Sequence, residues 1–167
     1  YFKLSEVAGD VYGIWATRNE ARAFRAEIDT ETLAARVDDI RESISTLEGR
    51  RRVTYPFNVG LSYQLFTEIM GPVAVDLAAI DHLIFEPDGA MLRLPLNLLV
   101  TNDAALNAYE QRLGTAGNDE YDFRGIRWLG RGRAVSTSLS ARGFRDVRNL
   151  APSAASRAYL GFGENAE

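Results

Sequence analysis

One histidine, His82, is the only imidazole in the chain, and there is no cysteine. The missing thiol removes thiolate nucleophiles, disulfides and Cys-ligated zinc together. Nucleophilic hydrolysis pairs a nucleophile with a base, most often His, and no residue near His82 in the sequence supplies that partner. His82 therefore reads as a core or strand-end histidine. A serine elbow of the G-x-S-x-G type is absent, and H-E-x-x-H chemistry would need a second His. Glu86 and Asp88 form a carboxylate pair of the kind used in acid–base work, but Asp88 already has a role in a turn. Gly161-x-Gly163-x-x-Ala166 matches the loose dinucleotide fingerprint after a strand, although that site also needs a helix N-terminus and an acidic residue about twenty positions on. Asn118-Asp119-Glu120-Tyr121-Asp122 does not have the spacing of a calcium-binding loop. The expectation is a chain with no catalytic, cofactor-binding or metal-binding residue of its own.

The elements that would position such groups are legible in part. At 167 residues, 46% hydrophobic and 25% charged, the composition is that of a folded domain. Val11–Thr17 and Ala21–Ile28 are rich in residues that favour strands and are separated by turn signals, so the first 28 residues predict a β-meander. Leu33, Val37, Ile40, Ile44 and Leu47 then recur at helical spacing, with Asp29 or Thr30 as cap and Gly49 as stop. A second helix is expected from Asn58 to Met70, ended by Gly71-Pro72, with a short third helix through Ala79. His82–Glu86 reads as a buried strand, Pro87-Asp88-Gly89 as a tight turn, Met91–Leu94 as the return strand and Leu96–Val100 as a short helix. Residues 101–123 read as a solvated loop, Ala134–Ser138 as a strand, and Ser140 as the cap of a helix reaching about Leu150. On that helix Arg142, Arg145 and Arg148 oppose a packed face of Phe144 and Val147. Ala158–Gly163 is a last apolar strand, of the sort that a crossover helix follows in an open α/β sheet. The fold class is α/β: an N-terminal β-meander and helices leading into a sheet that is incomplete at its C-terminal side.

Charge is uneven, −9 over residues 1–123 and +5 over 124–167. Mutual neutralisation within one domain is the plain reading; polyanion binding by the Arg-rich segment 124–148 is the alternative. Arg50-Arg51-Arg52 would sit favourably at the C-terminal end of the first helix. No apolar run approaches the ~20 residues that span a bilayer, so no membrane partner is expected. The first residue is Tyr1 rather than Met, which suggests a longer parent; the compartment stays open, with the cytoplasm slightly favoured.

Several stretches, taken in order, resemble the CHAT domain, a bacterial caspase-like domain often attached to tetratricopeptide repeats. They are Val11-Tyr12-Gly13-Ile14-Trp15, Leu61–Phe66 with Gly71-Pro72-Val73, and above all His82 to Leu96 with its Pro87-Asp88-Gly89 turn and Leu94-Pro95-Leu96 segment. Trp128-Leu129-Gly130, Ala134-Val135-Ser136, Leu150–Ser153 and Leu160–Gly163 continue the likeness. The resemblance implies a cysteine-peptidase relative with a His–Cys dyad placed after the Gly-Phe-Gly strand, so that no residue here inherits either role and His82 occupies a non-catalytic position. Residues 1–167 would then be the front portion of one CHAT domain. Its partners would be the remainder of that domain, upstream repeats and a protein or peptide substrate, with the oligomeric state open. A pseudoenzyme or scaffold for protein–protein interaction is the competing expectation.

Overall fold

Apolar and polar residues alternate through the first strands, and in the computed structural model, which describes residues 1–115, 117–152 and 154, that alternation produces the expected meander. Strands β1 (Phe2–Val7), β2 (Asp10–Ala16) and β3 (Ala21–Asp29) run antiparallel. Ala8 and Gly9, both at positive φ, close the first hairpin. Phe2, Leu4, Val11 and Trp15 are buried on one face of the sheet. On that face Gly13 lies under Phe24, whose ring leaves no space for a Cβ.

Helix α1 (Thr30–Ile44) starts where Asp29 accepts the Thr32 N–H at 2.7 Å and buries Leu33, Val37 and Ile40. It ends one turn earlier than the apolar spacing suggests. Ser45–Glu48 (β4) pairs with Arg51–Thr54 (β5) in a separate hairpin, with Gly49 at φ 64 in its turn. Leu47 is 66% exposed, and Arg50-Arg51-Arg52 lies in this hairpin, not at a helix C-terminus. The run Ser43-Ile44-Ser45-Thr46 explains the early stop: these residues are poor helix formers, and the Ser43 hydroxyl bonds back to the Ile40 carbonyl.

Helix α2 (Val59–Met70) is capped by Asn58, which accepts the Leu61 N–H at 2.9 Å, and passes at Gly71-Pro72 into a 3₁₀ stretch, Gly71–Ala79. Strand β6 (His82–Glu86) then enters the sheet parallel to β1, and β7 (Ala134–Thr137) adds parallel to β6. The five-stranded sheet has the order β3-β2-β1-β6-β7 and is mixed, so the fold is α/β as expected. Met91–Leu94 is not a return strand. Both sides of β6 are already paired, and Gly89–Arg93 instead forms a 3₁₀ turn with Met91 and Leu94 buried.

A helix, α3 (Asp103–Leu113), replaces half of the expected loop at 101–123. Asn102 caps it, and Ala104, Ala105 and Leu106 favour it, but only Tyr109 is buried, so its apolar stripe is too thin to read. Helix α4 (Ala141–Arg148) begins at the Ser140 cap as expected, yet its apolar face is not packed: Val147 is 67% exposed. The strand expected at Ala158–Gly163 lies outside the described residues.

The main core is one cluster in which Phe2, Trp15 and Phe85 of the sheet meet Leu33, Val37 and Ile40 of α1 and Leu65 and Ile69 of α2. Phe2 stacks on Phe85 with centroids 5.8 Å apart. A smaller cluster of Val59, Val100, Tyr109 and Ile126 joins α3 to α2.

Candidate functional site

Strands β1, β6 and β7 run in one direction, so their carboxyl ends lie together, where open α/β sheets gather ligands and reactive groups. Three segments leave this rim: Val7 into its hairpin, Pro87-Asp88-Gly89 after β6, and Ser138-Leu139-Ser140 after β7.

Glu86, the last residue of β6, is 7% exposed. Its partner in register is Lys3, and strand pleating puts both on the sheet face opposite the core. Lys3 Nζ donates to Oε1 at 2.5 Å, while the Tyr1 hydroxyl and the Ala141 N–H, at 2.9 Å, donate to Oε2. Burial works to raise the Glu86 carboxyl, but the hydrogen bonds from Lys3 and Tyr1, the Lys3 charge and the Ala141 N–H outweigh it and hold the group below its ordinary value. Burial, followed by the bond to Glu86, pushes the Tyr1 phenol up. A carboxylate with these three donors is an anchor: it joins β1 to β6 and satisfies an N-terminal N–H of α4.

Asp88 is engaged in the same way. Its Oδ2 accepts the Glu6 N–H at 3.0 Å and its Oδ1 the Gly89 N–H at 2.9 Å, while Glu6 Oε1 accepts the Ala90 N–H at 3.0 Å. Gly89 sits at φ 51, and a Cβ there would overlap the Glu6 carboxylate. The Pro-Asp-Gly sequence thus locks the exit of β6 to β1 and starts a 3₁₀ turn.

His82 lies at the other end of β6, exposed, on the same sheet face as Glu86. Its Nε2 is 2.7 Å from Ser136 Oγ, a partner that sequence reasoning missed because it comes from the neighbouring strand. Beside it runs an open groove of about 860 Å³, lined by Tyr1, Arg18, Asp81, His82 and Ile84 among others. A hydrolytic site would add an acid orienting the second ring nitrogen and N–H groups to hold an oxyanion. Among the described residues no carboxylate bonds to His82, and the strands beside it are paired in a regular ladder.

Among the described residues no group of three or more His, Asp or Glu side chains could hold a metal ion. Asp119 and Asp122 have local roles: Asp119 accepts the Tyr121 N–H and Asp122 pairs with Arg124, whose hydrogen bonds lower the Asp122 carboxyl to about 2. Gly161, Gly163 and Ala166 lie outside the described residues. No described helix is long and apolar enough to cross a membrane.

The likeness to the CHAT domain rests on sequence segments that the structure places at and beyond the exit of β6: the Pro87-Asp88-Gly89 turn and Leu94-Pro95-Leu96, in which Leu94 and Leu96 are buried and Pro95 is exposed. The sequence model of the CHAT domain matches residues 60–167. The chain belongs to the CHAT domain family. The match covers more than half of the chain and makes it a caspase-like, peptidase-related domain. It begins inside α2, so the meander and α1 lie outside the matched CHAT region, yet β1 stands in the middle of the sheet between β2 and the CHAT strand β6. No curated protein and no solved structure matches the chain.

Proposed function

We propose that residues 1–167 are the non-catalytic front portion of a single CHAT domain, supplying the sheet, helices and rim on which a His–Cys dyad from polypeptide beyond residue 167 works as a cysteine peptidase. The observation that carries this reading is the state of the rim. Glu86 and Asp88, the two carboxylates best placed for chemistry, are engaged by donors from β1, α4 and their own turn. The chain has no Cys to act as nucleophile. Among the described residues β7 pairs only with β6, leaving an edge to which a further parallel strand can add. In this reading the partners are the rest of the domain, upstream repeats and a protein or peptide substrate.

The test compares the 167-residue chain with its longer parent on a mixed-peptide substrate. The parent cleaves peptide bonds and loses the activity after alkylation of its thiols, whereas the 167-residue chain is inactive. Cleavage by the 167-residue chain itself, unaffected by alkylation, would refute the proposal.

A scaffold without catalysis is the second reading, favoured by one observation: Leu139, Val147 and Leu150, on and beside α4, are 86%, 67% and 72% exposed, an apolar surface suited to a protein partner. A parent that lacks either member of the dyad would decide for it. Polyanion binding gains less support, since Arg124 and Arg145 pair with Asp122 and Asp146 and Arg133 donates to the Leu77 carbonyl.

A further inference from the structure

Among the described residues two surfaces are unpartnered and chemically complementary. The first is a groove of about 670 Å³ between the Tyr55–Gly60 segment and α3. Its floor is apolar, with Phe57, Val59, Leu106 and Tyr109, and Glu110 and Glu120 stand on its rim. Both glutamates are exposed, and among the described residues neither is in an ion pair. The second surface is α4. Val147 and Leu150 are largely exposed and Phe144 is half-buried, while Arg142, Arg145 and Arg148 are exposed along the same two turns.

We infer that α4 of one copy of this chain docks in the α2–α3 groove of a second copy. Phe144 and Val147, three residues apart on a helix, are the spacing by which an amphipathic helix anchors in an apolar groove. Arg142 and Arg148, neither in an ion pair among the described residues, then face the Glu110 and Glu120 rim, while Arg145 is held by Asp146. Charge complementarity runs beyond these contacts, because residues 1–123 carry −9 and residues 124–167 carry +5, so the end of one copy is drawn to the body of another. The contact is heterologous: one copy gives the helix and the other gives the groove. It does not depend on the proposed peptidase role: α4 starts at the carboxyl rim, where the Ala141 N–H bonds to Glu86, but Phe144, Val147 and the arginines used here lie further along the helix and have no part in that role.

The experiment measures mass in solution by light scattering across a concentration series of the 167-residue chain. A helix variant, Phe144→Ser with Val147→Ser, and a groove variant, Glu110→Lys with Glu120→Lys, change exposed or half-buried positions, and circular dichroism verifies that each keeps its fold. The wild type rises above monomer mass with concentration, and about 0.5 M salt weakens that association at least tenfold by screening. Each variant alone stays monomeric. Mixed, they form a one-to-one heterodimer and nothing larger, because the groove variant still offers a helix and the helix variant still offers a groove. A wild type that stays monomeric throughout would overturn the inference, as would self-association that either variant retains, or a mixture that remains monomeric.

Discussion

The two ends of strand β6 contrast sharply although only four residue steps separate them. At the carboxyl end Glu86 is buried and accepts three hydrogen bonds from two parts of the chain, the β1 segment and the start of α4, tying β1, β6 and α4 together. At the amino end His82 is exposed, and among the described residues its one side-chain hydrogen bond is to Ser136. By residue type alone either could do chemistry. Their surroundings separate them: the carboxylate is fixed by structure, and the imidazole, exposed and bonded to Ser136, has among the described residues no carboxylate to orient it as a base in a working site.

Substitutions at the two ends should differ accordingly, and the residue between them sets the upper limit. Phe85→Ala removes a ring that is 1% exposed and stacked on Phe2, and should cost about 3–5 kcal/mol, read from denaturant unfolding. Glu86→Ala leaves the Ala141 N–H and the Tyr1 hydroxyl without their acceptor; with Lys3 partly exposed, the cost should be about 2 kcal/mol.

Titration sharpens the same contrast. The Glu86 carboxyl is lower in the folded protein than its ordinary value of 4.5, so its contribution is complete above that value and is lost as pH falls through the lower folded one. Unfolding curves taken from pH 7 downward should show Glu86→Gln losing less stability below about pH 4.5 than the wild type does. An identical acid slope in the two proteins would remove Glu86 from its place as anchor. The smallest effect belongs to His82→Ala, which should change stability by no more than about 0.5 kcal/mol, since the side chain is exposed.

Local signals were readable and non-local ones were not. Ser140 caps the helix it was expected to cap, Asp29 is the one of the two expected caps that serves α1, and Asn58, expected as the start of α2, stands as its cap, all because a cap bonds to an N–H two or three residues away. Leu47 misled because it continues the α1 spacing, while the competing hairpin depends on pairing Leu47 with Arg52 across Gly49. Parallel pairing of β1 with β6 joins residues more than eighty positions apart, and nothing in either strand encodes it. The same limit hid Ser136 beside His82 and Lys3 beside Glu86. Pro87-Asp88-Gly89 was legible as a turn, but its destination depended on both edges of β6 being already taken.

The central claim is that this chain provides architecture and that the reactive groups come from elsewhere in the domain. It is tested most directly by treating the parent protein with a thiol-reactive peptide probe and mapping the labelled residue by peptide mass spectrometry. Label on a cysteine beyond residue 167, lost when that cysteine is replaced by Ala, is the expected result. A parent that takes no label yet cleaves peptides, with activity abolished by His82→Ala or Ser136→Ala, would contradict the account.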